Sequence, residues 1–440
     1  MCPPSVNITS HQVVVIGGGV AGLTAVKICQ DHGIDAHAFE REPSLGGVWN
    51  HTYKNVRLQQ HKDDFKLSGT EWPEGVKDFP DAKAVEAYVH KFVREHNLGA
   101  KVTNGVSVIS CVYDKLMGKW AIKLSDGREA RAEHLVVATG ALGKPKKSEA
   151  AEKFKGFTGE VVHSSEYYDA AKYHGKDVLV VGGGSSGIEI CVDLARAADS
   201  TTMSVRSDVD WVFPRHGAFG KSMRLCGGGG SAPLWLRNLM ARATFRLKYG
   251  SLKKYGMQPE VAPLNRRIVV SDEFYPLVAH GAIDVRRVGV QSVNGNVVTF
   301  SDGSEKNFDA VILCTGYDVA THSGSHPYLA EHLEPKTKLE FYLGCFLPSV
   351  PKCAFVGGCF GFAAVPRIAE LQSKALVNVI SGVTHLPAPE VMKKRIKKTL
   401  GFHVQKVWAR FDHPPFFLPL LSPATHSHYY CTPPRAIVQY

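Results

Sequence analysis

Two runs of glycine stand directly after short apolar stretches, and phosphate binding is the chemistry such runs serve. The first is Gly17-Gly18-Gly19-Val20-Ala21-Gly22, after Val13-Val14-Val15-Ile16. The second is Gly182-Gly183-Gly184-Ser185-Ser186-Gly187, after Val178-Leu179-Val180-Val181. In a strand–loop–helix setting the spaced glycines allow a tight turn, close approach of backbone to a pyrophosphate, and close packing of helix on strand. The helix N-terminus adds free amides and a positive dipole. One such loop is a weak signal. Two in one chain predict two bound dinucleotides and electron transfer between them.

The residues that end the next strand separate the two sites. Glu40 closes Ala36-His37-Ala38-Phe39-Glu40, with Arg41 beside it. An acid there accepts hydrogen bonds from a ribose diol, and this first site is read as the FAD site. Gly46-Gly47-Val48-Trp49 follows. Paired glycines suit a backbone lying against a flat cofactor, with Trp49 packing near the flavin. Late in the chain, Pro366 suits the first turn of a helix whose dipole would face the negative charge of a reduced flavin. In the second unit the position equivalent to Glu40 is Val205, beside Arg206. An acid would repel a 2′-phosphate and an arginine binds it, so this site is expected to take NADPH, with Arg215 in support.

These loops must be held by an α/β scaffold. The expectation is two Rossmann-like dinucleotide-binding domains, the NADPH domain inserted into the FAD domain. The boundaries read as 1–168 for the first part of the FAD domain and 169–308 for the NADPH domain with a basic helical insertion. Residues 309–400 give the second part of the FAD domain, and 401–440 a C-terminal extension. Residues 83–97 carry Val85, Tyr88, Val89 and Phe92 at helical spacing. Leu135 to Gly140 and Ala310 to Gly316 each read as a buried strand closing on a turn, with Thr139-Gly140 and Thr315-Gly316 at the turns.

The net charge of +11 is uneven, and no Asp or Glu occurs between Trp211 and Pro259. Leu236, Met240, Ala243 and Leu247 recur there at helical spacing. Three readings fit 233–254: a pocket lid, a helix on an anionic membrane surface as a peripheral contact, or a solvated amphipathic helix packed on the core. The charge is local, so nucleic acid is not an expected partner. The N-terminus lacks the pattern of a secretory signal, and no apolar run reaches membrane-span length. The ten cysteines include no CxxC pair. Buried reduced thiols and a cytoplasmic location are expected, and no metal site.

Phe157-x-Gly159-x-x-x-His163-x-x-x-Tyr167 has the spacing of the signature of class B flavin-containing monooxygenases. With both glycine loops and Cys314-Thr315-Gly316-Tyr317, the chain resembles that family over roughly residues 11–385. Thr52 to Gln59 and Leu252 to Gly256 look most like its plant-type branch. Baeyer–Villiger relatives usually end the signature with Trp, where this chain has Tyr167. Many members carry an asparagine near the flavin, and Gln59 stands at the aligned position as the candidate catalytic amide. His163 reads as a hydrogen-bonded linker histidine.

The resemblance implies that NADPH reduces FAD and that dioxygen then adds to flavin C4a. The hydroperoxyflavin would oxygenate the nitrogen or sulfur of a small nucleophilic substrate. Oxidative decarboxylation of an indole-3-pyruvate type of acid, an NADPH oxidase and a non-catalytic redox sensor are the alternatives.

Overall fold

The computed structural model describes residues 8–146, 149–206, 209–215, 233–265, 268–319, 322–358 and 364–406. Its framework is a pair of sheets. The first has seven strands, in the order Val102–Thr103, Ala36–Phe39, Ile8–Ile16, Glu129–Val137, Lys119–Leu124, Val108–Asp114, with Cys353–Phe355 also paired to Glu129–Val137. The long strand Glu129–Val137 forks. Its start pairs antiparallel with Lys119–Leu124, and its end pairs parallel with Cys353–Phe355. Alternate residues of the central strand feed opposite cores, Val13 and Val15 on one face and Val14 and Ile16 on the other.

The second sheet is wholly parallel, in the order Ile283–Arg286, Ser200–Ser204, Asp177–Val181, Ala310–Leu313, Glu160–His163. Glu160–His163 and Ala310–Leu313 lie outside the 169–308 span expected for the NADPH domain, yet both hydrogen-bond within its sheet. The signature stretch is therefore an edge of the second sheet. Its pairing with Ala310–Leu313 is invisible to local pattern, because it joins segments far apart in sequence.

Helix Val20–Asp31 is apolar nearly all round, and every residue from Val20 to Cys29 is buried. It lies between the first sheet and helix Val365–Ile380. Helix Ala82–Glu95 starts where Asp81 accepts from Ala84 N–H at 3.0 Å and buries Val85, Tyr88, Val89 and Phe92. Among the described residues no helix is long and apolar enough to cross a membrane. Cys29, Cys111, Cys191, Cys345 and Cys353 are buried free thiols, and burial pushes Cys29 up to about 12.

The glycines that close each strand–loop–helix turn leave no room for a side chain. A β-carbon at Gly22 would lie 1.9 Å from Gly17 O, and one at Gly187 would lie 2.0 Å from Gly182 O. Gly22→Ala and Gly187→Ala should each cost roughly 3 kcal/mol or more, read from the urea midpoint. Gly99 faces open space without a positive φ, and Gly99→Ala should change stability by no more than about 0.5 kcal/mol. Equal midpoints for all three would contradict the packing described.

Candidate functional site: two glycine loops and the junction between them

The first loop leaves its strand through Gly17, whose φ of +112° is open to glycine and whose β-carbon would meet Ala138 O at 2.6 Å. Gly17 N–H donates to Phe39 O at 2.9 Å, which ties the loop to the strand that carries Glu40. Glu40 is buried. Its carboxylate accepts from Gly18 N–H at 2.5 Å and from Glu42 N–H at 2.9 Å. Two amides thus fix its orientation, and a carboxylate has lone pairs left for two hydroxyls. Gly46 N–H donates to Gly18 O at 3.1 Å. A β-carbon on Gly47 (φ +62°) would sit 3.1 Å from Gly19 Cα. The Gly46-Gly47 turn therefore lies directly against the loop. Trp49 meets Phe65 edge-on at 5.7 Å on the core behind it, while Val48 and Arg41 are exposed. Gly357 brings a third element here: its β-carbon would fall 2.5 Å from Ala21 Cβ and 3.8 Å from Val365 Cγ1. The first turn of the Pro366 helix so abuts the first loop.

The second loop repeats this construction. Gly182 (φ +120°) would strike Cys314 O at 2.4 Å, and its N–H donates to Ser204 O at 2.9 Å. Val205 faces Gly183 as Glu40 faces Gly18, with 3.0 Å and 2.9 Å from the respective β-carbon positions. The two positions are equivalent in space as well as in count. A β-carbon on Gly184 would meet nothing within 4 Å. That open space lies at the N-terminus of helix Ser185–Leu194, where free amides can meet an anion. Arg206 is exposed beside Gly289. Thr139 and Gly140 (φ +85°) turn the chain at the end of the first sheet, and Thr315 and Gly316 (φ +83°) do so in the second. Thr315 Oγ1 donates to Lys146 O at 2.8 Å.

Sequence reading missed the residue at the centre of the junction. Glu189, on helix Ser185–Leu194, accepts from Tyr53 Oη, from Gln59 Nε2 and from Arg215 Nη2, the last at 3.1 Å. The side chains of Glu189 and Arg215 are only 11% and 13% exposed. Burial raises the Glu189 carboxyl to about 7, against the pull of Tyr53, Arg215 and Gln59. Burial also lowers the Arg215 guanidinium from its ordinary value. Arg215 was expected to support the 2′-phosphate, and the structure turns it to this buried acid. Gln59 spends both ends of its amide here, since its Oε1 also accepts from Val270 N–H at 2.6 Å. The available signal was an acid just past the last loop glycine, on a helix face that must meet the other unit.

The signature residues have distinct tasks. A β-carbon on Gly159 would meet Asp309 O at 2.3 Å and Phe157 Cε1 at 2.6 Å, so glycine lets the edge strand close on its neighbour. Phe157 packs edge-on against Phe154 at 6.0 Å. His163 is buried; its Nδ1 accepts from Ser165 N–H at 3.1 Å and its Nε2–H donates to Gly316 O at 3.1 Å. Tyr167 Oη donates to Asp193 at 2.6 Å.

Helix Leu234–Tyr249 overturns the apolar stripe expected at Leu236, Met240, Ala243 and Leu247. Its buried face is Arg237, Asn238, Ala241 and Phe245. Phe245 decides the orientation by meeting Trp211 and Phe213 edge-on, each at 4.7 Å. Asn238 Oδ1 accepts from Leu264 N–H at 2.8 Å. Trp235, Leu239, Met240 and Leu247 are left exposed. The preceding Gly227–Gly230 run and the tail from 407 onward lie outside the described residues.

The chain matches the flavin-binding monooxygenase-like family over residues 10–410. It belongs to that family. Probable indole-3-pyruvate monooxygenase YUCCA1 of Arabidopsis thaliana is 29% identical over 345 residues, covering 75% of this chain and 81% of the relative. The N-oxide-forming dimethylaniline monooxygenase 2 of Macaca mulatta is 28% identical over 431 residues, covering 88% and 77%. Among solved structures, an oxidized steroid monooxygenase bound to NADP superposes with a TM-score of 0.69 at 21% identity, covering 85% of each chain. The fold is thus the Rossmann-type pair of flavin monooxygenases, and the protein is a flavin monooxygenase that uses FAD and NADPH.

The two second-loop glycines should separate binding from folding. Gly184→Ala, whose β-carbon enters the open space, is expected to keep the parent melting temperature within about 2 °C and to weaken NADP⁺ binding about tenfold or more. Titration of the flavin spectrum with NADP⁺ measures the second effect. Unchanged affinity would mean that the phosphates lie elsewhere.

Proposed function

We propose that this flavin monooxygenase transfers one oxygen atom to the nitrogen or sulfur of a small soft nucleophile. The observation that carries this reading is the alignment, over 88% of the chain, with a relative named for forming N-oxides. FAD, when bound, supplies the two-electron chemistry with dioxygen. The chain's own residues bind, orient and shield. The first loop, Gly17, Gly19, Val20, Ala21 and Gly22, presents amides to one pyrophosphate, and Glu40 accepts from the ribose hydroxyls. Gly47, Val48 and Trp49 flank that cleft, with Thr139, Gly140 and the Pro366 helix at its other side. Gly182, Gly184, Ser185, Ser186 and Gly187 take the second pyrophosphate, with Thr315 and Gly316 alongside and Arg206 on the 2′-phosphate. His163, bonded at both ring nitrogens, holds Gly316 in place and moves no proton. No protein nucleophile is needed.

A second reading has its own support. The Arabidopsis relative is named as an indole-3-pyruvate monooxygenase, which would make oxidative decarboxylation of a 2-oxo acid the outcome. Incubation under oxygen-18 with an amine, a thioether and indole-3-pyruvate separates the two. Label in an N- or S-oxide supports the first. Label in a decarboxylated acid supports the second, and peroxide alone with every substrate contradicts both.

Two further expectations follow from the surface. Arg206→Ala should raise KM for NADPH about tenfold or more and leave NADH use nearly unchanged; equal losses with both would remove Arg206 from the 2′-phosphate. The exposed Trp235, Leu239, Met240 and Leu247, set among Arg242, Arg246 and Lys248, support peripheral contact of 233–254 with an anionic membrane. Co-sedimentation with phosphatidylserine vesicles, lost in Trp235→Ser/Leu239→Ser and absent with phosphatidylcholine, is the expected outcome. No sedimentation with either lipid would end that reading.

A further inference from the structure

Helix Ser185–Leu194 carries Glu189 and Asp193 one turn apart, so the two acids share a face. That face meets the segment 53–59 of the flavin-binding unit. Tyr53 Oη and Gln59 Nε2 donate to Glu189. Asn55 Nδ2 donates to Asp193 Oδ1 at 2.5 Å, and Tyr167 Oη donates to Asp193 Oδ2 at 2.6 Å. The contact is reciprocal, because Gln59 Oε1 accepts from Val270 N–H at 2.6 Å. Tyr53 also meets Tyr167 edge-on at 6.0 Å. The bonds to Glu189 and Asp193 all end within two turns of Gly187, the last glycine of the second loop.

We propose that Glu189 is a positioning residue of the reaction, which with Asp193 registers the NADPH-binding unit on the 53–59 segment of the flavin-binding unit. This rests on the assignment of the two clefts to NADPH and FAD. Three donors converge on Glu189, so the geometry is that of an acceptor-only, ionised carboxylate. A carboxyl whose value rises from 4.5 unfolded to about 7 folded holds a proton in the native state across that window. Its ionisation therefore subtracts stability as pH rises from 4.5 to about 7. What the ionised group supplies is register, the best-attested use of a buried charge. The charged and titratable groups around it are Tyr53 and Arg57 on the flavin side, Arg215 after strand Trp211–Phe213, Asp272 and Glu273 after Ile268–Val270, and Cys314 and Tyr317 at the second turn.

Amide hydrogen exchange on the flavin-loaded protein tests the register without turnover. After correction for intrinsic rates, protection of 53–59 and of Val270 should fall in the parent between about pH 6 and about pH 8, as the buried carboxyl ionises. Glu189→Gln should lack that pH dependence and exchange about tenfold faster there at both pH values, while Val13 to Ile16 stays protected. In stopped flow, the limiting rate of flavin reduction by NADPH should fall about tenfold, with the half-saturating NADPH concentration within about twofold of the parent. Tyr53→Phe removes one donor hydroxyl and should shift both readouts in the same direction by less; if Glu189→Gln does not fold, Tyr53→Phe decides. Variants that match the parent in protection and in limiting rate at both pH values overturn the proposal. A parent that NADPH fails to reduce would count against the proposed function, and the exchange measurement would still decide the register.

Discussion

A carbonyl oxygen occupies the place where a side chain would begin, twice over. Gly17 O stands there for Gly22 and Gly182 O for Gly187. Only because those positions carry no β-carbon can each helix start so close to the end of its strand. That closeness aims the first free amides of the helix out of the sheet, towards an anion. The opposing contacts, Ala138 O on Gly17 and Cys314 O on Gly182, bring the Thr139-Gly140 and Thr315-Gly316 turns to the same edge. The shape of each loop is thus set by backbone contacts.

Side chains enter where the clefts must differ or must meet. Glu40 and Val205 occupy one position in two copies of the same loop, an acid in the first and a valine beside Arg206 in the second. Between the copies lies a polar seam of Tyr53, Asn55, Gln59, Tyr167, Glu189, Asp193 and Arg215, in which Tyr167 and Asp193 are buried and Asn55 is exposed. Buried polar groups are costly unless every partner is present. Such a seam tolerates few relative placements of the two sheets, which is the condition for passing hydride between two bound nucleotides.

Much of this was legible in the sequence, for physical reasons. Glycine loops after apolar runs report backbone geometry that few residues can adopt, so both strand–loop–helix turns could be read locally. The same holds for helix Ala82–Glu95, whose period is clean. The sheet membership of Glu160–His163 could not be read, because it depends on a partner strand distant in sequence. Helix Leu234–Tyr249 was misjudged in its face, since the aromatic pair Trp211 and Phe213 selects Phe245 over the evenly spaced leucines. Gln59 was read from an aligned position, but its bonds are set by Glu189 and Val270, which local spacing does not connect to it.

The fork in strand Glu129–Val137 has a bearing on biosynthesis. The inserted unit owns all its strands once Ala310–Leu313 has left the ribosome. The unit begun first is still waiting for Cys353–Phe355 to line the fork and for Val365–Ile380 to cover the apolar helix Val20–Asp31. The nascent chain must shelter an uncovered apolar surface through most of its elongation, and the part translated later matures ahead of the part translated earlier.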